Sequence, residues 1–332
     1  LSLNSLMYKW FPCILGPFFG GGGSAVSGLG LGGWGYPPHA PHTSPTSPAR
    51  PVSAAAMVPQ GPPSAASQAV RVHFARVQAD LLSNGLLRTD GGGRDTPFTD
   101  RMLAENFIRI ALYDEYSRGG TGSPVQREAP SRLRRWETPV RVGLRFGASV
   151  SAQNRATDTA RVRSYLARLS RITGHPIALN DTAPNFFIHI VNEDERRALG
   201  PTAAAALPGL SAGEVAGITN MPLPTYCLVY AMSEGNSGRY SRAFAVIRAE
   251  HPDLLRLSCM HEEIAQGLGL ANDSPRARPS IFNDDEEFAL LTGQDELMLR
   301  MLYNPALRTG MTEAEARPII LSLARALMGG DS

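Results

Sequence analysis

The stretch Cys259-Met260-His261-Glu262-Glu263-Ile264-Ala265-Gln266-Gly267-Leu268-Gly269-Leu270-Ala271-Asn272-Asp273 decides the reading of this chain. Zinc peptidases with an HExxH helix need two ligands at i and i+4, so that both project from one face, with a glutamate at i+1 as general base. Counting from His261 puts Ala265 at the second ligand position, and one histidine cannot make that site. Counting from Glu262 gives Glu262 and Gln266 as the ligand pair and Glu263 as the base. This register also places Gly269 at the helix-breaking glycine of HExxHxxGxxH and Asn272 at its third ligand. All three histidines are replaced while their spacing survives.

The following residues extend the pattern. Pro279-Ser280-Ile281-Phe282-Asn283 looks like the turn beneath the metal of metzincins, with Phe282 where a methionine stands. Leu291-Thr292-Gly293-Gln294-Asp295 and Leu302-Tyr303 look like their closing helix, begun by a Thr-x-x-Asp cap. On these residues the chain resembles, over most of residues 70–325, a proteobacterial family of unknown function often described as lipoproteins. Its hallmark is EExxQxLGLxND followed by a Ser-Ile-Phe segment. The resemblance implies a zincin-like fold and an exported, periplasmic or envelope location, and it carries no assigned activity.

Before the motif, Ser67–Ser83 and Thr99–Tyr116 show helical spacing and are joined through Gly91-Gly92-Gly93, which predicts a helical hairpin. The polar segment Arg118–Arg132 reads as the boundary to the main domain. There Val140–Phe146 and Asn185–Val191 read as strands around a helix over Asp158–Gly174, and Tyr226–Met232 and Ala243–Ile247 as two further strands. A helix over Pro252–Leu268 carries the motif. The expected class is α+β, a zincin-like mixed sheet with a long motif helix, divided as a tail (1–66), a helical hairpin (67–128) and a zincin-like domain (129–328).

The tail excludes itself from any core. Residues 1–70 contain no Asp or Glu and only Lys9 and Arg50 as formal charges, and Gly, Pro, Ser and Ala dominate from Gly16, which reads as disorder. Lys9 followed by the apolar run Trp10–Phe19 resembles a secretion signal, although Pro12 and Pro17 interrupt it and Phe11-Pro12 before Cys13 is unlike a lipobox. Residues 71–332 then hold 30 basic and 30 acidic side chains, a balance that argues against nucleic-acid binding. No stretch supplies the ~20 apolar residues of a membrane span. The two remaining cysteines, Cys227 and Cys259, are expected to form a disulfide, as an oxidising compartment favours.

The candidate site is therefore Glu262, Gln266, Asn272 and Asp273 for binding or for a metal, Glu263 as base, and Ser280, Phe282 and Asn283 in the supporting turn. Glu262, Gln266 and Asn272 offer oxygen, whereas zinc favours imidazole and thiolate, and calcium wants six to eight ligands. Glu262 and Glu263 diverge by about 100° around the helix, so they cannot flank one glycosidic bond. Asn283–Glu287 reads as a solvated acidic turn. The expected function is an exported envelope binding module, a pseudoenzyme for an unknown protein or peptide ligand, with its cofactor unknown and zinc disfavoured by the donor set. The alternative is an atypical metal-dependent hydrolase using Glu263. A structural envelope protein with an inert cleft is the third class.

Overall fold

The sheet is built on two strands with apolar, buried runs, β6 (Phe186–Val191), interrupted only by His189, and β8 (Arg239–Arg248), apolar over Ala243–Ile247. Strands of this kind suit the centre of a parallel sheet, where both faces are covered. In the computed structural model, which describes residues 62–118 and 124–329, β6 and β8 pair in parallel, with Phe186 opposite Ala243 and Ile190 opposite Ile247. Parallel pairing continues through β4 (Val140–Phe146) to β5 (Ile177–Leu179). On the far side of β8 runs β7 (Cys227–Ser233), the one antiparallel strand of this sheet among the described residues. The two-residue β3 (Arg135–Trp136) also pairs with β8, in parallel. Tyr240 faces Trp136 of β3 and Ser233 of β7, so those two strands lie on opposite edges of β8.

Alternation along the strands divides the core into two layers. Phe186, Ile188, Ile190, Ala243, Ala245 and Ile247 face one layer, which receives α3 (Ala152–Thr173) and the motif helix α7 (Asp253–Leu268). Tyr230, Phe244 and Val246 face the other, covered by the short helices α4 (Glu193–Arg197), α5 (Gly200–Ala206) and α6 (Ala212–Thr219). Helices on both faces follow from strands that are apolar on both. The sequence reading placed helices on a mixed sheet without these three. The architecture is a mixed α/β fold consistent with the α+β class.

The first two helices do not pack on each other as a hairpin. α1 (Ala65–Ser83) docks through Phe74, whose ring meets Tyr226 and His251 edge-on at 5.3 and 4.3 Å, and through Ser67, which donates to the buried Glu250. α2 (Asp100–Ala111) instead packs on α8 (Gly293–Leu302) and α9 (Glu313–Leu327). Each helix buries its apolar stripe in the larger core, which offers more surface than a two-helix pair. The segment expected to be a polar boundary forms a ribbon, β1 (Tyr113–Arg118) antiparallel to β2 (Pro124–Pro130). α2 therefore ends at Ala111, short of the expected Tyr116. The expected secretion signal and Cys13 lie outside the described residues.

Cys227 and Cys259 are both buried and disulfide-linked, with their Cα atoms 6.0 Å apart. The bond ties the edge strand β7 to the first half of the motif helix. Closing this loop contributes about 4 kcal/mol in the chain-entropy account. Urea unfolding of oxidised and reduced protein should show that difference in unfolding free energy; equal midpoints would remove the disulfide from the stability account.

Candidate functional site

Almost all of α7 is inside the protein. From Leu255 to Leu268 only Leu257 is not buried, which makes this the central helix of the fold. The helix fits so closely because residue 267 is glycine: a Cβ there would stand 2.5 Å from two ring carbons of Phe186 in β6. Trp136 Nε1 donates to the Gly267 carbonyl at 2.8 Å, locking the last turn against β3. From sequence alone Gly267 reads as a weak point in the helix. In the fold it is the position where helix and sheet touch.

Glu263 lies on the stripe between Cys259 and Gly267, four residues from each, so it sits on the sheet-facing side and is fully buried. Glu262 and Gln266 share the neighbouring stripe, each about 2% exposed. His261 occupies another side of the helix and belongs to the core. Its ring stacks on Tyr165 of α3 with centroids 3.9 Å apart, and its Nδ1 accepts from the Leu291 backbone N–H at 3.1 Å. Burial, with Arg168 nearby, holds its pKa down at about 3, so the ring is neutral. Tyr165 Oη in turn donates to the His261 carbonyl, and burial raises that phenol well above its ordinary value.

After Leu268 the chain turns at Gly269, whose φ of 129° and close approach to the Arg134 carbonyl both require glycine. The turn brings back Asp273, and Gln266 Nε2 donates to Asp273 Oδ1 at 3.3 Å. Gln266 Oε1 is buried with no hydrogen-bond partner among the described residues. Asn272 is used otherwise. Its Nδ2 donates to the Arg109 carbonyl at 2.9 Å and its backbone N–H to the Ile110 carbonyl, so it pins the loop to the end of α2. The residue joined to the helix pair is thus Asp273, one position beyond the third-ligand position read from spacing. That difference of one residue depends on the path of the turn, which spacing does not encode.

The Ser280–Asn283 turn is held from the closing helix. Asp295, in the first turn of α8, accepts from Ser280 Oγ at 2.5 Å, from Ile281 N–H at 3.1 Å, and from the N–H and Oγ of Thr292, both at 2.9 Å. Burial pushes Asp295 up to about 6 against the pull of these donors. Ser280 Oγ also accepts from Phe282 N–H, and the Phe282 carbonyl accepts from Ser274 N–H, which joins this turn to the loop leaving the motif. Phe282 is completely buried, and Asn283 is buried beside it. In the acidic run that follows, Asp284 and Asp285 are exposed, and Glu287 pairs with Arg88 and Arg278. Among the described residues no group of three or more His, Cys, Asp or Glu side chains is arranged to hold a metal ion.

The family described as "Protein of unknown function (DUF2927)" matches residues 100–322, from the start of α2 into α9. No curated protein and no solved structure matches the chain.

Proposed function

The chain belongs to the DUF2927 family, and from that premise we propose that it is an exported binding module of the cell envelope, built on a zincin-like scaffold that has lost its metal ligands. The observation that carries this reading is the Gln266–Asp273 hydrogen bond across Gly269. It brings Gln266, a ligand position of the register from Glu262, together with Asp273, the residue after the third-ligand position, while Asn272 at that position is bonded to the end of α2. The donor set does not fit zinc: a carboxylate, an amide already donating to a second carboxylate, and no imidazole. What remains is a polar cluster of acceptors, with the buried Gln266 Oε1 open to an N–H donor.

The order of motif helix, glycine turn, Ser280–Asn283 turn and capped α8 supports the zincin-like scaffold. The antiparallel strand β7 is last in the sheet on its side, with Cys227–Ala231 buried and Met232 and Ser233 partly exposed, and the ligand class proposed is a peptide or protein. The Cys227–Cys259 disulfide is compatible with export. No helix among the described residues is long and apolar enough to cross a membrane.

Metal content tests the reading. Protein purified without chelator and equilibrated with zinc is expected to hold well under one equivalent and to leave an unfolded polypeptide uncut. One equivalent that disappears in Glu262→Ala would overturn it.

A further inference from the structure

A cleft of about 580 Å³ opens between α2 and the loop that leaves the motif helix. Its size is that of a small-molecule site, for which about 300–1,000 Å³ is usual. Three arginines line it, Arg101 and Arg109 from α2 and Arg276 from the loop, against one carboxylate, Glu105. Glu105 is already neutralised, because Arg317 reaches both of its oxygens, at 2.6 and 3.2 Å. The exposed side chains of Arg101 and Arg276 have no ion pair among the described residues. Arg101 and Arg276 thus bring two positive charges without an ion pair among the described residues to one concave place.

The walls are held in place. Asn106, buried beneath the cleft, donates to Gln294 Oε1 at 2.8 Å, and Gln294 donates on to the Pro279 carbonyl at 2.9 Å. Asn272 fixes the other wall by its two bonds to the carbonyls of Arg109 and Ile110, four residues before Arg276. The two arginine-bearing elements therefore keep a fixed separation, as preorganised anion recognition requires. Guanidinium forks match carboxylate and phosphate oxygens two at a time.

We propose that this cleft binds a small anionic ligand, a phosphate- or carboxylate-bearing molecule, held between Arg101 and Arg276. Because Asn272 ties the motif loop to the backbone of Arg109, which lines the cleft, an occupant would also brace the loop that carries Asp273. This site is separate from the Glu262–Gln266 cluster and does not depend on the function proposed for it.

Titration calorimetry of the full chain at low ionic strength, with inorganic phosphate in one arm and citrate in the other, tests the assignment. Saturable one-to-one binding is expected in at least one arm, and the arm that binds identifies the ligand as phosphate- or carboxylate-bearing. Arg101→Gln/Arg276→Gln should weaken that binding at least tenfold, and Arg276→Ala alone should weaken it detectably. Arg71→Gln, an exposed arginine on α1, should leave it unchanged. Absence of saturable binding in both arms would overturn the assignment. So would binding that survives the double substitution, or binding that Arg71→Gln weakens equally.

Discussion

Asp295→Ala is expected to lower the unfolding free energy by about 4 kcal/mol. The carboxylate is fully buried and receives four hydrogen bonds from three residues, and its own N–H completes the Thr292 cap. Removing it strands the Ile281 and Thr292 N–H groups and the Ser280 hydroxyl away from water, at roughly 1–2 kcal/mol each. The ionisation cost implied by its raised pKa returns part of that sum. Asp295→Asn keeps an acceptor and removes the charge, so its loss should be about half. Urea unfolding followed by circular dichroism measures both, and a loss under 1 kcal/mol in the alanine variant would show that the turn is held by something else.

A second effect of about 4 kcal/mol is expected from acid alone, on going from pH 7 to pH 5. Burial, first among the causes, holds His189 down at about 4 and His251 and His261 at about 3. In the unfolded chain each would titrate near 6.5, so between these values the unfolded state binds more protons. The stability they contribute is present above about pH 6.5 and is lost as pH falls towards 3–4. At pH 5 all three folded rings are still neutral, so each loses about 2 kcal/mol, set by the unfolded pKa. Asp295 has the opposite sign. Its pKa is raised to about 6, so the folded state gains protons first and recovers about 1 kcal/mol over the same interval. Glu250, also raised by burial, acts in that direction. Unfolding free energies at pH 7 and pH 5 should differ accordingly, and equal values would mean that the histidines are not buried neutral.

Much of the site was readable because its signals are local. The motif helix expected over Pro252–Leu268 is α7 within one residue, since Pro252 and Gly269 mark its ends chemically. The Thr292-x-x-Asp295 cap was visible as a pattern, and it is a capping box. What the pattern did not reveal is that Asp295 also holds Ser280 and Ile281, a contact made through folding rather than spacing.

The helices α4 and α6 carried equally local signals, the boxes Asn192–Glu195 and Ser211–Glu214. Their segments are short and their periodicity is weak, so spacing alone does not mark them as helices. The docking of α1 on His251 and the approach of Gly267 to Phe186 join residues more than 80 positions apart, and neither leaves a mark in local composition. The same holds for Asn272, which spacing assigns to the ligand set and the fold assigns to α2.

The central claim is that α7 and the Gly269 turn form a metal-ligand scaffold without its histidines. Zinc stoichiometry of Glu262→His/Gln266→His, measured beside the unaltered chain, tests it most directly. Two imidazoles at i and i+4 with the native Asp273 carboxylate would make a two-histidine, one-carboxylate set. The expected result is close to one equivalent of zinc in the folded double variant and well under one in the unaltered protein. A folded double variant that takes up no more zinc than the unaltered chain would contradict the claim.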